Sequence, residues 1–336
     1  MITLLAAAIF IRPAVATQPV GTDADDPAIW RNRENPEESL VLGTNKTKRP
    51  DGAIVVFDLK GKIRQRFTGI DRPNNVDVLY DLPTPRGFMD VALTSERLAG
   101  RVRAFKIDPE DLKLEDVTGR TAVIGQGLAG VGEPMGIVSF KRQGKAYVVI
   151  APKEGLPDGY LELYEVRYNG LTERVDLKFL RRFGSFSGRK EIEALAYDPG
   201  TDTLFYSDET YGNRRIPMRT FLSSGPFNVD FKGDHEGVDV WQADGGRGYL
   251  VCTFQIPDRS VYRVMDSRTL TSLGEFTAGA DETDGIAVES RPLGPRFPRG
   301  LMVVMDSKRK RFLYIDWRDV ENRLSLKRLP ATRRNP

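Results

Sequence analysis

The 336-residue chain is predicted to fold as an all-β, six-bladed β-propeller with four antiparallel strands per blade. Three observations predict it. A short motif recurs six times, about 50 residues apart, which is the spacing of propeller blades. Each copy leads into apolar runs of strand length, punctuated by Gly, Pro and Asp. No convincing amphipathic helix interrupts them.

The motif is a carboxylate or Asn, two residues, then a small or acidic residue entering an apolar alternation. The first three copies are Asp25-Asp26-Pro27-Ala28-Ile29, Asn74-Asn75-Val76-Asp77-Val78 and Glu133-Pro134-Met135-Gly136-Ile137. The last three are Glu191-Ile192-Glu193-Ala194-Leu195, Asp234-His235-Glu236-Gly237-Val238 and Glu282-Thr283-Asp284-Gly285-Ile286. A second run follows each, as in Leu40 to Leu42, Val91 to Leu93 and Leu301 to Met305. A third alternates strictly in several repeats, as in Ala53 to Leu59 and Val102 to Ile107, and a fourth closes the unit, as in Ile63 to Phe67. The fourth repeat is the weakest, because Pro217 and Gly225-Pro226 fall where its outer strands belong.

In an antiparallel blade, the start of the first strand and the end of the second lie on one face. The six motif openings therefore ring one end of the channel. The residues closing the second strands join them: Lys46, Arg97, Lys153 with Glu154, Asp208 with Glu209, Gln255 and Asp306. So many carboxylates on one rim repel each other unless cations sit between them, and hard oxygen ligands favour calcium or magnesium. The bland alternative is a solvated channel mouth with capped strand ends.

Composition excludes several chemistries. One cysteine permits no intramolecular disulfide and no cysteine-rich zinc cluster, and one histidine permits no multi-histidine metal site. Cys252 sits in an apolar strand and reads as a small buried hydrophobe. His235 reads as a hydrogen-bonded structural residue, and Trp30, Trp241 and Trp317 as packing between blades. With 50 basic and 47 acidic side chains the net charge is only +3, so nucleic acid is not an expected partner. The basic runs at Lys308–Arg311 and Arg333-Arg334 read as solvated surface. A hydrolase built here relies on carboxylates, lysine, arginine and a bound metal.

Residues 1–16 read as a truncated signal peptide and 17–336 as a single propeller domain. Met1 to Ile11 is almost wholly apolar, and Ala14-Val15-Ala16 resembles a small-residue cleavage site. The positive n-region is missing, however, and Arg12-Pro13 interrupts the apolar stretch. No stretch is long enough to span a bilayer. The expectation is a secreted or periplasmic monomer with no membrane partner.

The runs assembled above resemble the β-propeller phytases, calcium-dependent phosphatases acting on inositol hexakisphosphate. They include Asp-Ala-Asp-Asp-Pro-Ala-Ile-Trp (23–30), Thr-Asn-Lys (44–46), Asn-Asn-Val-Asp (74–77), Ser-Glu-Arg (95–97) and Lys-Glu-Gly (153–155). Further on come Asp-Glu (208–209), Asp-His-Glu-Gly (234–237), Glu-Thr-Asp-Gly-Ile (282–286) and Leu-Gly-Pro-Arg-Phe-Pro-Arg-Gly-Leu (293–301). The resemblance implies several calcium ions held by Asp25, Asp26, Glu154, Glu193, Glu209, Asp234, Glu236 and Asp284. It assigns catalysis through a metal-activated water to Asp25, Glu193, Glu209 and Glu236, and the grip on substrate phosphates to Lys46, Arg97, Lys153, Asn74 and Asn75. Two departures stand out: Ala16 aligns with a family glutamate ligand, and Met135 with a phosphate-contacting tyrosine.

The function implied is a 3-phytase-type phosphomonoesterase acting on phytate. Two alternatives share the same rim. One is a divergent propeller that binds calcium and anionic ligands with little or no turnover; the other is a propeller lactonase. A lactonase has little need of Lys46, Arg97 and Lys153 around the mouth, whereas phosphate chemistry does.

Overall fold

The computed structural model describes residues 9–125, 128 and 131–332. Residues 1–8 of the stretch read as a leader, and Arg333 and Arg334, lie outside the described residues. Six sheets form a ring, each laid down from the channel outward. The innermost strands are Ala24–Trp30, Pro73–Thr84, Gly132–Arg142, Leu195–Asp198, Asp234–Gln242 and Ile286–Glu289. Together they line a central channel of about 120 Å³. The second strands of blades one, four and six, Leu40–Asn45, Thr203–Asp208 and Leu301–Asp306, are buried throughout, and those of the other blades are buried along their middles. Both their faces pack against apolar neighbours, which is why they read as continuous hydrophobic runs.

The apolar cores lie between blades. Leu40, Leu42 and Ile54 of blade one meet Val76, Ala92 and Phe105 of blade two, all buried. At about 1.5–3 kcal/mol per fully buried large aliphatic or aromatic side chain, these seams hold each blade to the next. The tryptophans lie in them. Trp241 and Trp317 stack at 5.7 Å between blades five and six, and Trp30 donates its indole N–H to Asp90 Oδ2 of blade two at 2.8 Å.

Blade four departs from the regular plan. Among the described residues its sheet holds three strands, Leu195–Asp198, Thr203–Asp208 and Gly212–Pro217, with only an isolated bridge from Asn213 to Phe227 beyond. Pro217 and Pro226 have no N–H to give to a fourth ladder. One element escaped the sequence reading altogether: Trp317–Arg323 forms a helix, N-capped by Asp316, whose side chain accepts from the Arg318 N–H. Seven residues are too few for a helical period to stand out.

The ring is closed by the start of the chain. Val15–Ala16 pairs antiparallel with Arg311–Asp316 and becomes the outermost strand of blade six. Ile9–Phe10 pairs in parallel with Ser272–Thr277 on the outside of blade five. Ile11 is 1% exposed in the core between these blades. Residues 9–16 thus belong to the sheets, and a cut after Ala16 would remove both strands.

Candidate active site

In four blades the innermost strand carries one extra residue at the motif, so that two residues oppose one on the second strand. Asp25 and Asp26 lie between the pairs Ala24–Asn45 and Pro27–Gly43; Asn74 and Asn75 lie between Pro73–Glu96 and Val76–Thr94. Blades three and five repeat this at Met135-Gly136 and Glu236-Gly237. Hydroxyls on the second strands take up the freed backbone groups: Asp26 N donates to Thr44 Oγ1 at 3.0 Å, and Asn75 N to Ser95 Oγ at 3.1 Å. Such bulges break strand alternation and re-aim side chains. Asp25 consequently faces the rim, while Asp26 reaches along the channel wall and accepts the Val76 N–H of the next blade at 3.0 Å.

The rim gathers two carboxylate triads. Asp25, Glu193 and Asp284 come from blades one, four and six; Glu209, Asp234 and Glu236 come from blades four and five. Within each triad, the potential ligand oxygens lie within 4.8 Å of one another. A lysine sits in each. Lys46 Nζ is 2.5 Å from Asp25 Oδ1 and 3.7 Å from Asp284 Oδ2, and Lys190 Nζ is 2.6 Å from Glu209 Oε1 and 2.7 Å from Asp234 Oδ2. Beside them, Arg97 donates to Glu133 at 2.7 Å and Lys153 pairs with Glu191. Gln255 donates to Asp284 at 2.6 Å.

A profile of the phytase family matches residues 7–311. The chain belongs to the phytase family. It is 28% identical over 334 residues to the 3-phytase of Bacillus subtilis (strain 168), covering 92% of this chain and 84% of that one. The chain is therefore a phytase-type hydrolase.

Most residues of this phytase predicted for the site come together; some do not. Asn74 is fully buried on the bulge of blade two, donating to Asn75 Oδ1 at 3.0 Å, with its own Oδ1 unpartnered. Asp26 stands in the channel wall outside both triads. Glu154 is exposed and also belongs to neither. Successive strand residues point opposite ways, so a strand that turns Lys153 toward Glu191 turns Glu154 outward. Ala16, aligned with a family ligand, is an exposed residue of the outermost strand of blade six, and Met135 is fully buried. His235 is buried, each ring nitrogen 2.9–3.0 Å from a backbone carbonyl, of Glu209 and of Asn228, in keeping with a structural role. Lys190 was missed. It lies in an irregular segment, just outside the repeating pattern.

Electrostatics mark the same face. Burial holds the Asp25 carboxyl well above its usual range; Lys46 opposes the shift, while Glu193 and Asp284 reinforce it. Glu193 is raised as well, by burial first and then by Asp284 and Glu209 against the pull of Lys46. Glu236 is raised by burial and by Asp284, Glu193 and Glu209. Lys153 is lowered by burial and by the nearby Arg97, against the pull of Glu193, Glu209 and Glu133. The residues fit hard divalent cations. The donors are all oxygen, they converge from different blades, and Asp25 Oδ2 is buried without any hydrogen-bond partner.

Proposed function

We propose that this phytase is a secreted or periplasmic, monomeric, calcium-dependent phosphomonoesterase that hydrolyses phytate, myo-inositol hexakisphosphate. The observation that carries the reading is the pair of carboxylate triads set beside Arg97 and Lys153 on a single rim. Carboxylates alone would repel a phosphate ester carrying nearly two negative charges. Calcium ions, when bound, supply the compensating positive charge and Lewis acidity. Asp25, Glu193 and Asp284 would hold one ion, and Glu209, Asp234 and Glu236 another; Asp26 and Glu154 lie outside these sets and do not enter the ligand proposal.

The chain's own cations complete the arrangement. Arg97 and Lys153, with side chains 11% and 34% exposed, present charge to an incoming phosphate while staying anchored on Glu133 and Glu191. Lys46, beside the first triad, would help to orient the ester, while Asn74 and Asn75, both buried on their bulge, would act only through the strand that carries them. Asp25, Glu193, Glu209 and Glu236, as carboxylates of the two triads, would orient the water that attacks phosphorus.

The experiment is phosphate release from phytate and from p-nitrophenyl phosphate, in calcium and in excess chelator. The expected result is release in calcium and its loss in chelator. Folded, calcium-supplied protein that frees no phosphate from any monoester would sink the proposal.

A further inference from the structure

We propose that Lys190 is a tethered competitor for the cation of the second triad, which therefore takes up calcium by displacing the Lys190 ammonium. The inference rests on the reading of that triad as a calcium site. The Lys190 nitrogen lies 2.6 Å from Glu209 Oε1 and 2.7 Å from Asp234 Oδ2. Calcium would require contacts of about 2.3–2.6 Å to the same oxygens. Two cations cannot share that seat, because their repulsion adds to the steric overlap. Meanwhile the triad keeps capacity for a stronger ligand: Glu209 Oε2 is buried and receives no hydrogen bond, and Glu209 as a whole is 7% exposed.

The delivery of Lys190 differs from that of Lys46. Lys46 follows the end of a buried strand, its side chain is 14% exposed, and its one close contact in the triad is Asp25 Oδ1, which leaves Asp25 Oδ2 for an ion beside it. The Lys190 side chain is 49% exposed and leaves a segment between Arg174–Ser185 and Leu195–Asp198 that joins no sheet. Its base is nevertheless fixed. Ser187 binds Asp208 through its N–H at 2.9 Å and its hydroxyl at 2.6 Å. Lys190 itself adopts φ 47°, an uncommon backbone for a non-glycine residue, at the point that aims the side chain back over the triad. A fixed base with a half-exposed stem suits an ammonium that fills the seat when calcium is scarce and withdraws to solvent when it is not.

The test uses the full chain, stripped with chelator and titrated with calcium chloride by calorimetry. Lys190→Met removes the charge at similar length, and one calcium site is expected to tighten about tenfold or more, in line with releasing two partly exposed ion pairs. Lys190→Arg should stay near wild type, and Glu209→Gln added to Lys190→Met should abolish the gain. Stripped Lys190→Met should also melt below stripped wild type and gain more on calcium addition, since its triad lacks a counter-ion. Calcium binding that is present but identical in wild type and Lys190→Met overturns the competition alone. So does a Lys190→Arg variant that tightens as much as Lys190→Met. Absence of binding in both wild type and Lys190→Met overturns the competition together with the calcium reading.

Discussion

Asp77 offers a direct test of how the channel wall is held. It stands on the innermost strand of blade two, and its Oδ2 accepts the N–H of Ser139 in blade three at 2.5 Å and the Ser139 hydroxyl at 2.8 Å. Burial pushes its carboxyl up from 3.8 to about 6, against the pull of those hydrogen bonds. The folded value lies above the unfolded one, so the contribution of Asp77 is complete below about pH 4 and is lost as pH rises through about 6. At about 1.4 kcal/mol per pH unit the loss is at most roughly 3 kcal/mol, less to the extent that channel water reaches the carboxyl. Asp77→Asn keeps an oxygen acceptor for Ser139 and removes the ionisation. Near pH 4.5 it should melt close to wild type; near pH 7.5 it should melt higher by up to roughly 4 °C for a domain of this size. Calorimetric scans from pH 4.5 to 8 in chelator measure the difference between the two proteins, which removes the contributions of the other carboxylates. A difference that stays constant across that range would refute the reasoning.

At the active face, Glu209→Ala should abolish phosphate release by dismantling the second triad, whereas Lys153→Ala should chiefly raise KM, since it removes charge felt in both ground and transition states; steady-state kinetics separates the two, and the reverse pattern would contradict the assignment. Met135→Tyr should destabilise by about 1–3 kcal/mol, because the methionine is fully buried on its bulge and a larger ring overpacks the site; a chemical denaturation midpoint at or above wild type would count against it. Deleting residues 1–16 should lower the melting temperature by several degrees, since it strips the outer strand of blade six and the buried Ile11 side chain, the latter alone at about 1.5–3 kcal/mol; an unchanged melt would show that the closing strand adds nothing.

Most of the ring was legible in the sequence because each innermost strand must meet the same two demands, a polar start at the mouth and an apolar course between its neighbours. Ala28-Ile29, Val76 to Val78 and Ile286-Ala287 satisfy both, so the repeat survives where individual residues vary. The repeat placed the motif openings, Asp25 among them, on one rim, whereas Glu193 and Asp284, two residues past their openings, were marked only by the resemblance to the phytases. Other features have no such constraint behind them. Lys190 reaches its triad from an irregular segment, so no period marks it. Glu154 follows Lys153 in sequence, yet strand alternation carries it to the opposite side. Ala16 aligns with a ligand by residue matching alone, and matching does not register that this stretch has become an edge strand of the last blade.

The bulges explain how one rim can do two jobs. A regular strand would turn Asp25 and Asp26 to opposite faces of the blade, each toward a neighbouring blade's core, where an ionised carboxylate is costly. The extra residue instead sends Asp25 to the rim, to Lys46 and the first triad, and leaves Asp26 to take the Val76 N–H across to blade two. Asp77 makes the same kind of link to blade three, and Asp239 to Val288 of blade six at 2.5 Å. Carboxylates just below the mouth therefore tie adjacent blades through backbone donors, while those at the mouth are left short of donors and lean on lysines. Because the inner set fixes the positions of the strands, the outer set can stay crowded and under-bonded without spreading the ring, and that surplus of acceptor capacity is what a divalent cation would fill.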